Sequence, residues 1–589
     1  MNECYIKVLK QQLQHSNFDD KAALLFCTVT QRKGTFYTAL SGTYHIIRES
    51  IYFALGLMQI DSEKNAGTVE RILNAVCDLQ DQDPQSPTFG VWPLYMEETL
   101  KQQPRPDWNW SDFCGRGLLQ FVIGYKKFFS EKTMEKIKQA VYCAAVRIMR
   151  RNVSPAYTNI SCMGTYTVLA AGEYLEDSEL LAYAKERFRK LYTFNMFHQC
   201  VSEYNSSTYT VESLIDLSLM AKDVHDVKIQ KMAEELLDMQ WNYTLEHFCP
   251  DNGQWTGPQS RCYDTLQGNR LLSFLQVGAG NKVKLIEPEN MVLQPIWLQA
   301  GLHIPERLIG MLTAKESHFF RRHPVLLNEP EIYASQFRDK EQSMGSFNFS
   351  DFWTQRRPLI AYFGSCEKPA YFRLRCIHDD FDFASGVFAC SQYRNIALCG
   401  MGLCNDHGDR HFTLDPIKNQ KILVSRLAFR FEFGGCGLDT MEFRKTEYGY
   451  QIITGDTVFV VWIGNNGFCG KPLCVLQGET EDTRYLDLIL YDGPSKDLSV
   501  ASGIEAYASM VVGMFRVGDP AIQKLQEFIR KEKNRLWIDD GYIQQGIVYA
   551  EKIADYNTQV LRMKEFRKCN IIPARHVWRV TAKTDTSEE

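Results

Sequence analysis

The hydrophobic periodicity of the chain changes near residue 340, and this change constrains the fold more than any other feature. Before it, apolar side chains recur every three or four residues, as on one face of a helix. After it they alternate, as along a strand with one buried face. At 589 residues the chain is also too long for one core. We therefore expect an α+β multidomain protein, with a helical domain at 1–310 and an antiparallel β-sheet domain at 311–589.

One-sided apolar stripes predict the helices of the first half at 67–79, 133–149, 178–192 and 228–241. In the second stripe Ile137, Val141 and Ile148 fall on one face. Ser178 opens the third stripe and is the expected N-cap of its helix.

Alternating segments predict the strands of the second half at 386–399, 425–433, 457–463 and 484–491. Leu427, Phe429, Phe431 and Phe433 fall on one side of the 425–433 strand. Glycine-rich turns separate such segments, and a helix is expected at 520–533.

Charge and hydropathy exclude several classes of partner. The net charge of −5 lacks the basic excess of most nucleic-acid-binding proteins, so we expect no nucleic-acid partner. An anionic polymer can still bind a local basic cleft, because net charge does not report the local field. No run of 18 apolar residues occurs, so no membrane span is expected. No feature specifies an oligomeric state.

The cysteines and the N-terminus bear on the compartment. The 18 cysteines are scattered singly, with no CxxC pair, and many lie in apolar runs, which is typical of reduced, buried thiols. The first residues contain no apolar signal segment. We expect a cytoplasmic protein, or a secreted one whose signal peptide is absent from this sequence.

Four loops between the predicted helices are dense in Trp, Asn, Asp, Tyr and Gly. They lie at 89–95, 107–117, 202–209 and 253–263. Functional residues concentrate on loops that a rigid scaffold positions, so we expect these loops to line one cleft.

Two motifs in this half resemble a known family. The segment 157–175 places Asn159 before an apolar helix that carries Gly172. It resembles the Asn-bearing helix of the heparinase II/III-like and alginate-lyase-like polysaccharide lyases, although Ile160 stands where that family often has His. The segment 203–214 resembles the family's Ser-x-x-Tyr element, with Ser206 and Tyr209 at that spacing.

The resemblance implies a fold and an activity. The fold is an incomplete N-terminal (α/α) toroid followed by a C-terminal antiparallel β-sandwich-like domain, and the broad glycosaminoglycan lyases are the most similar group. The implied reaction is β-elimination in a uronic-acid polysaccharide, which yields unsaturated oligosaccharides. The partner is then an anionic polysaccharide or oligosaccharide, and no cofactor is required.

Within that resemblance Asn159 and Tyr209 are the expected catalytic residues. An amide can hydrogen-bond the uronate carboxylate and stabilise the enolate that forms when the C5 proton leaves. A phenol can take that proton and return one to the leaving oxygen. Tyr204 is the alternative phenol, and Asn205 supports either. The structural alternatives are a helix cap for Asn159 and a buried packing role for the tyrosine.

Further residues are expected to bind substrate. Arg261 and Tyr263 lie in a Gly/Pro loop, where a guanidinium suits carboxylate or sulfate recognition. Trp108, Trp110 and Arg116 are expected to form a subsite wall. A surface ion pair for Arg261 and a packed loop for the tryptophan segment are the structural alternatives.

The β-domain offers histidines at 403–415. His407 is the expected second base for the other uronate epimer, with His411 and His198 as substitutes. The His/Asp cluster there could instead hold a divalent metal ion. The Arg-Arg-His run at 321–323 is a solvated run or a further contributor to the cleft.

Two other functions fit the same pattern. A glycoside hydrolase on a similar helical toroid, of the unsaturated-uronyl hydrolase type, would use Asp107 or Asp112 as its acid. A non-catalytic glycan-binding protein would bind oligosaccharides without cleaving them.

Overall fold

The computed structural model describes residues 3–30, 41–103, 106–326, 332–403, 421–447, 449–499, 506–532, 536–539, 542–545 and 559–562. The chain divides into two compact units. Unit 1 comprises Met1–Glu203, Tyr209–Tyr243 and Gly268–Ile309, and unit 2 comprises Tyr204–Thr208, Thr244–Gln267 and Gly310–Glu589. The N-terminal part is helical and the C-terminal part is rich in strands.

The helices of the N-terminal part follow one another through mostly short loops. They are α1 (Glu3–Gln14), α2 (Ile47–Ile60), α3 (Ser62–Asp78), α4 (Trp110–Gly124), α5 (Glu131–Arg151), α6 (Thr158–Tyr174), α7 (Ser178–His198), α8 (Tyr209–Asp223), α9 (Val227–His247), α10 (Asn269–Gly278), α11 (Pro295–Ala300) and α12 (Glu306–Ile309).

The structure confirms the four helices predicted from apolar stripes, which are α3, α5, α7 and α9. In α5 the expected face, including Ile137, Val141 and Ile148, is buried. The N-cap expected at Ser178 is wrong by one residue. Asp177 holds that position, because its carboxylate accepts hydrogen bonds from the backbone N–H groups of Glu179 and Leu180.

Five helices of unit 1 pack in a closed series. Helix α2 packs on α4, α4 on α6 and α6 on α8, and α11 contacts both α8 and α2. Helix α3 packs on α2, α5 on both α4 and α6, and α7 on α6. The buried faces of the series meet one another, which explains why α4, α6 and α8 are buried almost throughout.

A small antiparallel sheet precedes α2 and was not predicted. Its strands are β1 (Phe18–Asp19), β2 (Leu24–Val29) and β3 (Gly42–Ile46), paired in that order. Only one residue of β2 is fully buried, so the strand lacks a clean alternation. A short strand with a half-exposed pattern carries little sequence signal.

Unit 2 contains most of the strands, beginning with the ribbon β4 (Phe248–Cys249) and β5 (Gln254–Trp255). The remaining strands are β6 (His318–Leu326), β7 (Ile332–Asp339), β8 (Gln342–Phe347), β9 (Phe349–Asp351), β10 (Leu359–Phe363), β11 (Ala370–His378), β12 (Phe381–Asp382), β13 (Gly386–Tyr393), β14 (Ile396–Leu403), β15 (Lys421–Gly435), β16 (Glu442–Thr446), β17 (Gly449–Thr454), β18 (Thr457–Phe468), β19 (Cys474–Glu479), β20 (Thr483–Ser499), β21 (Ala506–Arg516), β22 (Leu536–Asp539), β23 (Tyr542–Gln545) and β24 (Gln559–Arg562).

Two large antiparallel sheets share the main core of unit 2. One has nine strands in the order β19-β20-β15-β11-β10-β8-β7-β6, with β12 on β11, and the other has seven in the order β16-β17-β18-β21-β14-β13-β9. Their inner faces meet in one apolar cluster. Phe372 of the first sheet lies 5.2 Å from Phe459 of the second, measured between ring centroids. The sheets therefore pack face to face.

The predicted strands and the late helix lie within these elements. In β15 the predicted inner side chains, including Leu427 and Phe431, are fully buried. The segment 386–399 forms parts of two strands, β13 and β14, because the chain turns at Arg394, whose φ is 51°. Helix α13 (Ala521–Glu532) packs Leu525 and Ile529 on the second sheet. No helix of the described ranges has the length and apolarity that crossing a bilayer demands.

Candidate functional site

The helices α4, α6 and α8 of unit 1 run in the same direction. Gln120 in the later part of α4 donates to the hydroxyl of Tyr166 in α6, at 2.8 Å. That hydroxyl donates to Asp223, the last residue of α8, also at 2.8 Å. The loop that precedes α4 meets the one that precedes α6, since Asn109 donates to the Tyr157 hydroxyl at 3.1 Å.

Three predicted site residues begin these helices and therefore share one end of unit 1. Trp110 is the first residue of α4, Asn159 the second of α6 and Tyr209 the first of α8. The N-terminal end of each helix carries a partial positive charge from the peptide dipoles. Together these ends favour an anionic group.

Asn159 is bonded to a carboxylate that the sequence analysis did not select. Its side-chain Nδ2 lies 2.8 Å from Oε1 and 2.7 Å from Oε2 of Glu203, and its backbone N–H donates to Oε2 at 2.7 Å. Both residues are 1% exposed. Glu203 thus satisfies a free N–H group in the first turn of α6, and Asn159 itself is not the N-cap.

This geometry leaves part of the Asn159 amide unused. The two Glu203 oxygens, at 2.8 and 2.7 Å, subtend an angle of only about 50° at Nδ2, whereas the two N–H bonds of an amide diverge by about 120°. One N–H can therefore point well at the carboxylate while the other points away. Within the described residues the buried Oδ1 has no hydrogen-bond partner. A buried amide with unfilled capacity indicates a place for a ligand or a water.

The two candidate phenols have different environments. Tyr209 is half-buried, and its backbone carbonyl accepts a hydrogen bond from the Ser213 hydroxyl at 3.2 Å. Tyr204, in unit 2, is fully buried, and its hydroxyl lies 2.9 Å from Nε2 of His247. Of the two rings, that of Tyr209 is therefore the more exposed.

Asn205 stabilises a turn within unit 2. Its Nδ2 donates to the carbonyl oxygens of Thr256 and Pro258, at 2.8 and 2.9 Å. These residues flank Gly257, whose φ of 92° is in the left-handed region that glycine adopts most readily. These bonds assign Asn205 a structural role in the turn.

Arg261 and Tyr263 lie together in unit 2. Arg261 is 5% exposed, donates from Nε to the side chain of Gln355 at 2.7 Å, and stacks 4.9 Å from the Trp353 ring. It is not the exposed surface cation of the structural alternative. Tyr263 is 56% exposed.

Arginine side chains stack on Trp108 and Trp110, whereas Arg116 is buried in α4. The Arg147 guanidinium lies 4.0 Å from the ring of half-buried Trp108, and that of Arg48 lies 4.6 Å from the ring of buried Trp110. A tryptophan face attracts cations in this way.

Arg116 is 2% exposed and belongs to an internal ion cluster. Its Nη1 donates to Glu212 at 3.0 Å and to Asp216 at 2.9 Å, and its Nε donates to the Tyr52 hydroxyl at 3.0 Å. Such a cluster indicates that Arg116 holds α4 to α8.

Asp107 and Asp112, the candidate acids of a hydrolase, both interact with other groups of unit 1. Asp107 accepts the backbone N–H of Asn109 at 2.9 Å, as in an Asx turn. Asp112 is 2% exposed and lies 3.6 Å from Arg151. Burial raises the pKa of Asp112 to about 6, although Arg151 and Arg187 favour its charged form. The charge of Asp107 raises the pKa of Asp112 further.

The predicted histidines contribute little to the described geometry. His407 and His411 lie outside the described residues, so the second base and the metal site stay predictions. His198 is 2% exposed between the rings of Phe194 and Phe197, and burial lowers its pKa. In the described part of the chain, no cluster of three or more His, Cys, Asp or Glu is arranged to hold a metal ion.

The Arg-Arg-His run lies in β6, where Arg322 is exposed and Arg321 and His323 are half-buried. Arg321 pairs with Glu246 at 3.0 Å, and the His323 ring lies 5.9 Å from that of His247. Burial lowers the pKa of His323. His247 and Glu203 are the residues that sequence reasoning missed, and their partners lie 43 and 44 residues away in the chain.

Part of the chain matches a protein family whose function is not known. Residues 12–291, just under half of the chain, match the family described as "Domain of unknown function (DUF8769)". No curated protein matches the sequence.

Solved structures resemble the chain only distantly. Chondroitin AC lyase of Streptomyces coelicolor A3, in complex with chondroitin sulphate, is 10% identical over 93% of this chain and 84% of its own, with a TM-score of 0.47. Heparinase III is 10% identical over 88% and 85%, with a TM-score of 0.41. Endoglucanase CelQ of Clostridium thermocellum, complexed with cellotetraose, is 11% identical over 88% and 94%, with a TM-score of 0.23. Similarities this low carry no argument about fold or activity.

Proposed function

We propose that the chain is a polysaccharide lyase that cleaves a uronic-acid-containing, glycosaminoglycan-like polysaccharide by β-elimination. One observation carries the proposal. A buried amide, Asn159, is oriented by Glu203 with spare hydrogen-bonding capacity, at the same end of unit 1 as the half-buried ring of Tyr209. β-Elimination needs these two groups, an uncharged donor for a carboxylate and a group that exchanges a proton.

Asn159 is assigned to the substrate carboxylate. The C5 proton of a uronate is weakly acidic because the ionised carboxylate beside it resists further negative charge. In our proposal one Asn159 N–H stays on Glu203 while the other donates to the substrate, and that bond strengthens as the enolate forms. The partial positive charges at the N-terminal ends of α4, α6 and α8 also stabilise the negative charge of the enolate.

Tyr209 is assigned the proton transfers. Its phenolate takes the C5 proton, the bond from C4 to the leaving sugar oxygen breaks, and the phenol returns the proton to that oxygen. The products are an unsaturated uronate and a free hydroxyl, so no water is consumed. Trp108, under Arg147, is assigned to a neighbouring sugar.

The finer fold assignment belongs to the same proposal. The closed series α2, α4, α6, α8 and α11, with α3, α5 and α7 packed on its members, supports an incomplete (α/α) toroid. The two face-to-face sheets of unit 2 support a β-sandwich-like domain. We also propose that the protein acts in the cytoplasm, or outside the cell if a signal peptide precedes this sequence.

The test separates the three candidate functions. The full chain is incubated with heparin, heparan sulfate, chondroitin sulfate, hyaluronan and alginate, and both ultraviolet absorbance and new reducing ends are followed. A lyase raises both signals, because elimination creates a conjugated uronate. A hydrolase that cuts the intact polymer raises reducing ends alone. A hydrolase of the unsaturated-uronyl type lowers the absorbance of polymers that a known lyase has already digested, and a binding protein changes neither signal. Repeating the assay with a chelator tests whether a divalent metal contributes.

A further inference from the structure

Backbone hydrogen bonds in unit 2 hold Arg357 next to the loop that follows Gln259. The N–H of Gln259 donates to the carbonyl of Arg357 at 3.1 Å, and the N–H of Arg357 donates back at 2.9 Å. The N–H of Cys262 donates to the carbonyl of Gln355 at 2.6 Å. These bonds fix the segment 353–357 against the loop that carries Tyr263 and Thr265.

Arg357 is a buried cation bonded only to neutral oxygens. It is 3% exposed. Its Nη1 donates to the carbonyls of Thr354 and Arg356, at 2.8 and 2.9 Å, and its Nε donates to the Thr265 hydroxyl oxygen at 3.2 Å. Among the described residues no carboxylate lies within 4.0 Å of this guanidinium. These hydrogen bonds replace part of its solvation, but a buried charge that no carboxylate balances favours an anionic partner.

Arg373 brings a second guanidinium to the same hydroxyl. Its Nη1 donates to Oγ1 of Thr265 at 3.1 Å, and its Nε donates to Glu432 at 2.6 Å. Glu432 also accepts from Arg375, which in turn binds Asp382 at 2.7 Å. Two carboxylates thus balance Arg373 and Arg375, and the charge of Arg357 is left over.

The excess positive charge affects its neighbour. Burial, followed by the charges of Arg375 and Arg357, lowers the pKa of Arg373. An anion between Arg357 and Arg373 would relieve this repulsion.

The side of Arg357 and Arg373 that faces Thr265 is partly exposed to solvent. Thr265 is half-buried, the Arg373 side chain is 13% exposed, and Tyr263 is 56% exposed. A group entering at Thr265 meets N–H donors from two directions, which suits an oxyanion with several oxygens. An exposed aromatic side chain such as Tyr263 suits contact with the sugar that would carry this group.

We propose that Arg357, Arg373 and Thr265 form a binding site for the oxyanion group of a glycan, a sulfate ester or a carboxylate. The site deepens the proposed function by naming a charged group of the same substrate class, and it rests on that function only for the identity of the glycan. Binding of a small anion here does not require that the protein cleave anything.

The test measures anion binding by the full chain. Isothermal titration and thermal unfolding are run with sodium sulfate, with glucosamine 6-sulfate and with glucuronate, each against sodium chloride at equal ionic strength. Ionic strength is matched because salt alone screens exposed charges. The two sugars distinguish a sulfate ester from a carboxylate as the natural group.

Two variants test the site and one serves as the control. Arg357→Met removes the unbalanced cation, and Thr265→Val removes the hydroxyl at a half-buried position where folding is less at risk. Arg444→Met is the control, because both that arginine and its partner Glu442 in unit 2 are exposed, so the loss of their ion pair should not affect folding.

We expect the wild type and the control to bind at least one of these anions, Arg357→Met to bind it at least tenfold more weakly, and Thr265→Val several-fold more weakly. Equal affinity in all four proteins, or no anion binding by the wild type, would overturn the site. Lost anion binding in Arg357→Met with no cleavage of any polymer by the wild type would leave the site standing and remove the proposed function.

Discussion

The side-chain nitrogen of Asn159 lies within 2.8 Å of both carboxylate oxygens of Glu203, although the two residues are 44 positions apart in the chain. One carboxylate therefore fixes the direction of the amide and caps the first turn of α6 through the backbone. An amide whose rotation is restricted in this way loses little entropy when it binds a second partner.

Removing either member of this pair should slow catalysis more than it weakens binding. We expect Asn159→Ala to lower kcat on the lyase substrate by about 10²–10³, as loss of an oxyanion donor does in other enzymes, with a smaller change in KM. Glu203→Gln should act in the same direction, because its new amide donor faces Nδ2 of Asn159. Glu186→Gln, on an exposed stretch of α7, is the matched control. A loss confined to thermal stability would leave the pair a structural cap.

Tyr209→Phe should abolish turnover and leave folding intact, because only a hydroxyl on a half-buried ring is lost. Tyr204→Phe is the matched comparison. It removes the partner of His247 from a fully buried site and should cost about 1–3 kcal/mol of unfolding free energy. Steady-state rates and chemical denaturation distinguish the two. The reverse pattern, an active Tyr209→Phe and an inactive but stable Tyr204→Phe, would transfer the proton-exchange role to Tyr204.

Arg116→Met should destabilise unit 1 rather than weaken substrate binding. The substitution leaves Glu212 and Asp216 without the cation that both contact, and breaking a buried ion pair from one side typically costs about 3–5 kcal/mol. Denaturation measures the loss of stability, and titration with oligosaccharide measures binding. A stable variant with weakened binding would restore the subsite wall that the sequence suggested.

The stability of unit 1 should depend on Asp112 between about pH 4 and 7. Its pKa is about 6 in the folded chain and about 3.9 when unfolded, so the protonated form favours folding. This contribution is fully present below about pH 4 and is lost as the pH rises through 6, with a total of roughly 3 kcal/mol. Asp112→Asn should therefore flatten the pH dependence of the unfolding free energy in this range. An unchanged slope would show that another group titrates there.

Local patterns in the sequence predicted much of the secondary structure, but they predicted the candidate site only in part. The alternation from Leu427 to Phe433 predicts β15 because a strand buries every second side chain. The partners of Asn159 and Tyr204 were not predicted, because Glu203 and His247 come from distant positions and no local period marks them. Burial likewise separates Arg116 from Trp108, although both lie in one loop-to-helix segment.

The boundary between the units is another feature that a linear reading does not reveal. The chain enters unit 2 briefly at Tyr204–Thr208 and again at Thr244–Gln267 before it stays there from Gly310. These excursions are short, and they overlap two of the loops dense in polar and aromatic residues, at 202–209 and 253–263, but that composition does not indicate a change of unit. They carry Tyr204, Asn205 and Arg261, so the predicted site residues are divided between the two units.

The ultraviolet absorbance of the product, recorded for the wild type and for Tyr209→Phe under identical conditions, tests most directly whether Tyr209 carries out a β-elimination. We expect the wild type to produce an absorbing, unsaturated uronate from at least one uronic-acid polymer, and Tyr209→Phe to produce none while it still binds that polymer. New reducing ends without absorbance, or equal absorbance from both proteins, would contradict this expectation.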